Sequence, residues 1–140
     1  MNIKHNNKGF TLLEIIIVII IVGVLASLAL PRFFSTVEYS RSTEAFSNLA
    51  AVRQALERCY LQRSGNYTNC TAFTSLDIED PQNSPNSHFS YIISAASATG
   101  YTITATRNTR DGGAASSIIA MTQTTTGVTR SGVGAFAGVQ

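Results

Sequence analysis

The sequence contains few of the residues from which metal, redox and catalytic centres are built. Its 140 residues include no tryptophan, only two cysteines and two histidines, and charged side chains make up 13% of the total. It shows no glycine-rich phosphate loop, no pair of catalytic carboxylates and no nucleophile–base pattern. We therefore expect a protein that is not an enzyme, with no catalytic residues, no metal site and no cofactor.

Charge is scarce and unevenly placed. The formal net charge is only +2, which excludes strong attraction of the whole chain to nucleic acid. A hydrophobic content of 44% and a mean hydropathy of +0.13 exclude a charge-driven disordered chain. Both lysines, Lys4 and Lys8, precede Gly9, and the rest of the chain balances eight arginines against eight acids, 8 − 8 = 0. A basic start is thus followed by a neutral body of about one-domain size.

One long apolar run follows the basic start, FTLLEIIIVIIIVGVLASLAL from Phe10 to Leu30. As a helix it would span about 31 Å, the thickness of a bilayer's hydrocarbon layer. Lys4 and Lys8 predict that its start stays cytoplasmic and that the chain after it lies outside. Composition alone leaves three ordinary explanations open: an uncleaved signal anchor, a secretory signal cleaved after Ala26, and the core helix of a soluble protein.

Glu14 is the only charge in this run. A carboxylate in a membrane helix costs about 2.5–3.5 kcal/mol at the centre, so its presence indicates a functional role by default. Near the helix end the cost is lower, and the alternative is a carboxylate that simply reaches the membrane surface. Lys8 to Glu14, KGFTLLE, together with the apolar run, resemble the class III signal of type IV prepilins and their pseudopilin relatives. The resemblance implies cleavage between Gly9 and Phe10 by prepilin peptidase and N-methylation of Phe10.

The same resemblance implies that Glu14 pairs with the freed amine of Phe10 in a neighbouring subunit. Breaking a buried pair of opposite charges costs about 3–5 kcal/mol, so this pairing would set the axial register of assembly. The implied function is a structural subunit of a type IV pilus or related filament. Its partners would be copies of itself, prepilin peptidase, the assembly machinery and, before assembly, the inner membrane. After processing, the chain would be located in an extracellular pilus.

Two other functions stay open. A pseudopilin of a type II secretion system would build a short periplasmic filament instead. A monomeric membrane-anchored or secreted binding domain would build none. Binding of nucleic acid has weak support, because it rests only on Arg107, Arg110 and Arg130, which could form a basic spot on the head but are more simply ordinary surface residues.

Three- and four-residue spacing of apolar side chains continues the helix beyond Leu30, so we predict one helix over about residues 10–63. Gly23 and Pro31 are its weak points, because proline removes one backbone hydrogen bond. They predict either a functional bend or melting segment, or a tolerated kink. The predicted parts are a cleaved leader (1–9), a membrane or filament-core half (10–31), an amphipathic half (32–64), a loop (65–88) and a head (89–140).

Cys59 and Cys70 bracket a short loop after the helix. In an exported chain two cysteines at this spacing predict a disulfide, and no other metal ligand lies nearby. In the adjoining loop, Asp77, Glu79 and Asp80 form an acidic cluster. Calcium binding there is less consistent with the spacing than a solvated turn.

Three strand-like runs, 89–93, 101–106 and 117–122, predict an antiparallel sheet of three or four strands. Alternation places Tyr101, Ile103 and Ala105 against the long helix. The small-residue stretch from Gly127 to Gln140 is expected to be a tail anchored by Phe136. The expected fold is α+β, a long helical stalk whose amphipathic half packs on a small antiparallel sheet.

Overall fold

A computed structural model describes residues 9–139, so Lys4, Lys8 and most of the predicted leader lie outside the described residues. The chain forms two compact units, one ending at Thr36 and the other beginning at Val37. Within residues 9–139, besides short 3-10 turns, the elements are α1 (Leu12–Gln62), β1 (Phe89–Ser94), β2 (Tyr101–Arg107), β3 (Ile118–Thr124) and β4 (Gly127–Val133). The predicted α+β fold is confirmed. Both the first and the last residue of the helix lie within two residues of the predicted limits.

The C-terminal half of α1 packs on the sheet through one apolar stripe. Its buried positions recur mostly at three- and four-residue steps: Ser42, Ala45, Leu49, Val52, Ala55, Leu56 and Cys59. This spacing places the side chains on one face of a helix of 3.6 residues per turn. Full burial of Leu49 or Leu56 contributes about 1.5–3 kcal/mol each, so the stripe accounts for much of the head's stability.

The sheet is antiparallel throughout, in the order β1-β2-β3-β4. Tyr101, Ile103 and Ala105 in β2 are buried, as the alternation predicted. They share a core with the helix stripe and with Phe136, which is completely buried and thus anchors the C-terminal segment.

The fourth strand corrects the sequence prediction of a tail from Gly127 onward. Residues 127–133 pair with β3 through a two-residue turn, Thr125–Thr126, and only the segment after Val133 forms the anchored tail. Almost every residue of β4 is exposed. The strand therefore lacks the apolar alternation by which strands are identified in a sequence, and pairing with β3 defines it.

The helix end is tied to the following loop by the predicted disulfide. Cys59 and Cys70 are bridged, with their Cα atoms 6.3 Å apart. Beside them, the Glu57 carboxylate accepts hydrogen bonds from the hydroxyls of Tyr67 at 2.9 Å and Tyr101 at 3.4 Å. Burial, with that bond to Glu57, raises the pKa of Tyr67 well above its usual value. Helix, loop and β2 are thus joined at one point by covalent and polar contacts.

Candidate functional site

Gly9, Phe10 and Thr11 precede the first helical residue, and all three are exposed. Thr11 caps the helix, because its Oγ1 accepts a hydrogen bond from the backbone N–H of Glu14 at 3.3 Å. This is one half of a capping box, which pairs a threonine with a glutamate three residues later. The sequence analysis missed Thr11, although the Thr-x-x-Glu spacing before an apolar run was a signal that could have identified it.

Glu14 lies in the first turn of α1 and is exposed. A negative charge there is favoured by the partial positive charge of the helix N-terminus. Its carboxylate forms no ion pair with any other residue between 9 and 139. Glu14 is therefore favourably placed at the helix start, and no other described residue of the chain occupies its carboxylate, which can pair with a group of another molecule.

The apolar run of α1 is exposed up to Phe34 except at Ala26, which is partly covered. Each of its large hydrophobic side chains is at least 40% exposed, and no part of the most apolar window is buried. Among the described residues this is one helix long and apolar enough to cross a membrane. Pro31 lies inside the helix, which continues through it, and open space surrounds Gly23. The first unit thus offers an extensive apolar surface that it does not cover itself.

Arg107 is neither the ordinary surface residue favoured from the sequence nor part of an exposed basic spot. Its side chain is completely buried and forms a two-point ion pair with Glu38, with Nε–Oε2 at 3.0 Å and Nη2–Oε1 at 3.1 Å. The remaining N–H groups bind the carbonyls of His88, Asn108 and Arg110. The hydrogen bonds that Arg107 donates to the Glu38 carboxylate lower the pKa of Glu38. Arg107 is thus a structural residue and is not available to a ligand.

His88 forms a second link between α1 and the head. Its Nδ1 lies 2.8 Å from Oε2 of Glu44, and its Nε2 lies 3.0 Å from Oδ2 of Asp111. Asp111 also pairs with Arg41 at 3.3 Å. The hydrogen bond from His88, aided by Arg41, lowers the pKa of Asp111. Neither this cluster nor the buried pair was predicted, because the partners are far apart in the chain.

The acidic cluster divides between two structural tasks. Asp77 pairs with Arg58, with Nη2–Oδ1 at 2.8 Å, and Asp80 caps the short 3-10 turn Pro81–Asn83 by accepting from the N–H of Gln82. Within residues 9–139 no group of three or more potential ligands is arranged to hold a metal ion. Of the three acids in this cluster, Glu79 is the one that is exposed and forms no ion pair with another described residue.

Two family models match the chain. Residues 4–30 match the family described as "Prokaryotic N-terminal methylation motif". Residues 31–117, more than half of the chain, match the family described as "Type IV minor pilin ComP, DNA uptake sequence receptor". The chain belongs to the ComP family of type IV pilins. The resemblance stated from the residues around Glu14 is thereby confirmed.

Several curated proteins are similar to this pilin over part of its length. The type IV major fimbrial protein FimA of Dichelobacter nodosus is 38% identical over 58 residues, which is 41% of this chain and 37% of FimA. The type II secretion system core protein G of Escherichia coli is 42% identical over 57 residues, 41% of this chain and 39% of its own. The type IV narrow pilus major component PilA5 of Thermus thermophilus is 40% identical over 58 residues, 41% of this chain and 50% of its own. The matches thus span half or less of these relatives.

The family match and the observed sheet do not end at the same place. The ComP match stops at Ser117, whereas β3 and β4 of this pilin follow from Ile118 onward. The matched region contains the amphipathic helix, the disulfide, β1 and β2. The family match therefore does not include β3 and β4, which are known from the structure alone.

Proposed function

We propose that this pilin is a structural subunit of a type IV pilus, made as a membrane-anchored precursor and cleaved between Gly9 and Phe10. The observation that carries the proposal is the uncovered apolar surface of α1 with its lone carboxylate. An apolar surface of this extent requires lipid or other copies of itself. The exposed, non-helical junction at residues 9–11 supports access by prepilin peptidase.

Cleavage would create an α-amine on Phe10, the residue the resemblance marks for methylation. The amine is four residues from Glu14, about 6 Å along a helix, and both groups are costly to bury alone. Pairing Glu14 with the amine of a neighbouring subunit removes both penalties only when the two helices lie at the correct axial offset. Glu14 would therefore select the register of the filament.

Gly23 and Pro31 would supply the adaptable part of the same helix. Pro31 has no N–H to donate, so the carbonyl of Ser27 loses its usual helical partner. We propose that α1 bends or melts between these positions when subunits pack. Gly23 lowers the cost of such a change, because it has weak helix propensity.

The test separates the charge of Glu14 from the capping of the helix. Glu14→Gln keeps a side chain that can complete the capping box but removes the charge, whereas Thr11→Ala removes the cap and keeps the charge. We expect both precursors to insert and be cleaved, with mass spectrometry showing a chain that begins at methylated Phe10. Glu14→Gln should then yield few or no fibres, and Thr11→Ala should assemble. Normal fibres from Glu14→Gln would refute the register mechanism.

A second candidate is a type II secretion pseudopilin, favoured by the similarity to core protein G of Escherichia coli. Both candidates predict the same cleavage and the same use of Glu14. They differ in where the filament ends. Shearing cells and finding this chain in long surface fibres supports the pilus, whereas finding it only in the envelope supports the pseudopilus.

A third candidate, binding of DNA by the head, is favoured by the description of the matching family. The second unit, which includes the head, carries seven arginines and seven acids over residues 37–139, 7 − 7 = 0. Arg107 is buried as well, so few positive charges are available to bind DNA. Arg110 and Arg130 are exposed. If the head binds duplex DNA, binding should weaken steeply with salt and fall in Arg110→Ala and Arg130→Ala. Unchanged binding in both variants would exclude these residues as the contact.

A further inference from the structure

Strand β1 forms one edge of the sheet, and its hydrogen-bonding pattern determines which main-chain groups face outward. The N–H of Asn108 donates to the carbonyl of His88 at 2.9 Å, so His88 and Asn108 form a hydrogen-bonded pair of the antiparallel ladder. Such pairs recur at every second residue. The residues of β1 that bond to β2 are therefore Ser90, Ile92 and Ser94. The main-chain groups of Phe89, Tyr91 and Ile93 point away from the sheet.

The outward groups of Tyr91 and Ile93 lack partners. The Ser87 hydroxyl bonds both the N–H and the carbonyl of Phe89. Across residues 9–139, no hydrogen bond reaches the outward N–H or carbonyl of Tyr91 or Ile93. The two residues are only 2% and 8% exposed. Buried main-chain N–H and carbonyl groups are normally hydrogen-bonded. The unpaired groups of Tyr91 and Ile93 therefore indicate a sheet edge that can pair with a further strand.

These groups border a groove between β1 and the preceding loop. The groove is open to solvent and has a volume of about 550 Å³, and its apolar walls include Phe73 and Ile78. Glu79 and Asp80 also line it, and no lysine or arginine does. The groove thus combines unpaired strand groups, apolar walls and negative charge.

We propose that the free edge of β1 binds an extended peptide segment of another protein as a fifth strand, with a lysine or arginine of that segment reaching Glu79. An added strand would pair with the main-chain groups of Tyr91 and Ile93, which is how sheet edges recognise peptides. Phe73 and Ile78 would contact its apolar side chains. Glu79 would favour basic sequences over acidic ones.

Strand β4 of a second copy is a poorer occupant of the groove. A Cβ added at Gly132 would lie 2.1 Å from the carbonyl oxygen of Phe136, so the C-terminal tail packs directly against β4. Arg130 of β4 is held over the ring of Phe46 in its own chain. Because the C-terminal tail would have to enter the groove together with β4, an extended segment of another protein fits the groove better.

The experiment uses the full chain, labelled with nitrogen-15 in detergent micelles, so it does not depend on fibre assembly or on the proposed function. The probe is the peptide Ac-TVRVRVT-NH2, and Ac-TVEVEVT-NH2 is its acidic control. We expect the amides of Tyr91 and Ile93 to shift and gain protection from hydrogen exchange, while those of Ser90 and Ile92 change little. The acidic peptide should bind about tenfold more weakly.

Two further controls test the main-chain pairing and the charge. N-methylation of the peptide's alternate residues should weaken binding about tenfold for one of the two alternating sets and leave the other unaffected, because only one set faces β1. Glu79→Lys should weaken binding of the basic peptide, whereas Thr126→Lys, in the β3–β4 turn, should not. Equal binding of both methylated peptides, equal binding of the acidic peptide, or unchanged amides at Tyr91 and Ile93 would overturn the proposal. Shifts in β1 and β4 that grow with protein concentration without peptide would instead identify a second copy as the occupant.

Discussion

The ion pair between Glu38 and Arg107 should make a large contribution to the stability of the head. In Glu38→Gln the guanidinium stays buried but faces a neutral amide in place of a carboxylate at 3.0 and 3.1 Å. Hydrogen bonds to charged groups contribute about 1.5–3 kcal/mol net. Because the Glu38 side chain keeps 22% exposure, water can compensate in part, and we expect a loss of about 2 kcal/mol.

Arg107→Met should cost more, about 3–5 kcal/mol, because Glu38 and three backbone carbonyls lose their donor together. Thermal unfolding of the full chain in micelles, followed by near-ultraviolet circular dichroism, measures both effects. For a unit of this size, about 2 kcal/mol lowers the Tm by roughly 8–16 °C. Glu79→Gln is the matched control, since Glu79 is exposed, and it should change stability by less than about 0.5 kcal/mol. If Glu38→Gln and Glu79→Gln melt together, the assigned role of the pair is wrong.

Three further predictions concern the disulfide, acid stability and the processed terminus. Cys59→Ser should destabilise the head by about 3 kcal/mol in calorimetry while leaving cleavage unchanged, and an unaltered Tm would argue against a stabilising bridge. Glu38, Asp77 and Asp111 have lowered pKa values through hydrogen bonds from Arg107, Arg58 and His88. The stability that these three carboxylates contribute is therefore fully present above the ordinary carboxyl pKa near 4, and it is lost as the pH falls through their lower pKa values in the folded protein. Glu38→Gln should flatten the acid side of a curve of unfolding free energy against pH. An unchanged acid side would contradict this. Because no lysine follows Gly9, an amine-reactive dye should attach once to the processed chain, at its amino terminus, and several labels per chain would mean that the leader is retained.

The parts of this protein that could be predicted from sequence are those encoded by neighbouring residues. Helical spacing and apolar content located α1 to within two residues, and alternation identified β1, β2 and β3 together with the buried face of β2. The two cysteines are eleven residues apart, and this spacing, in a chain predicted to be exported, was enough to predict their bridge. The roles of Gly9, Phe10 and Glu14 rest on the family resemblance and remain predictions that the experiments above address.

Only the tertiary structure determined which distant residues meet. Glu38 and Arg107 are 69 positions apart, and whether an arginine in β2 is a surface charge or a buried partner depends on the register between helix and sheet. His88 between Glu44 and Asp111 depends on the same register. Strand β4 exists because a two-residue turn brings it beside β3, although its own side chains carry almost no apolar pattern. Local sequence sets the conformation and the buried face of each element, whereas long-range contacts depend on how those elements align, and no short stretch of the chain encodes that alignment.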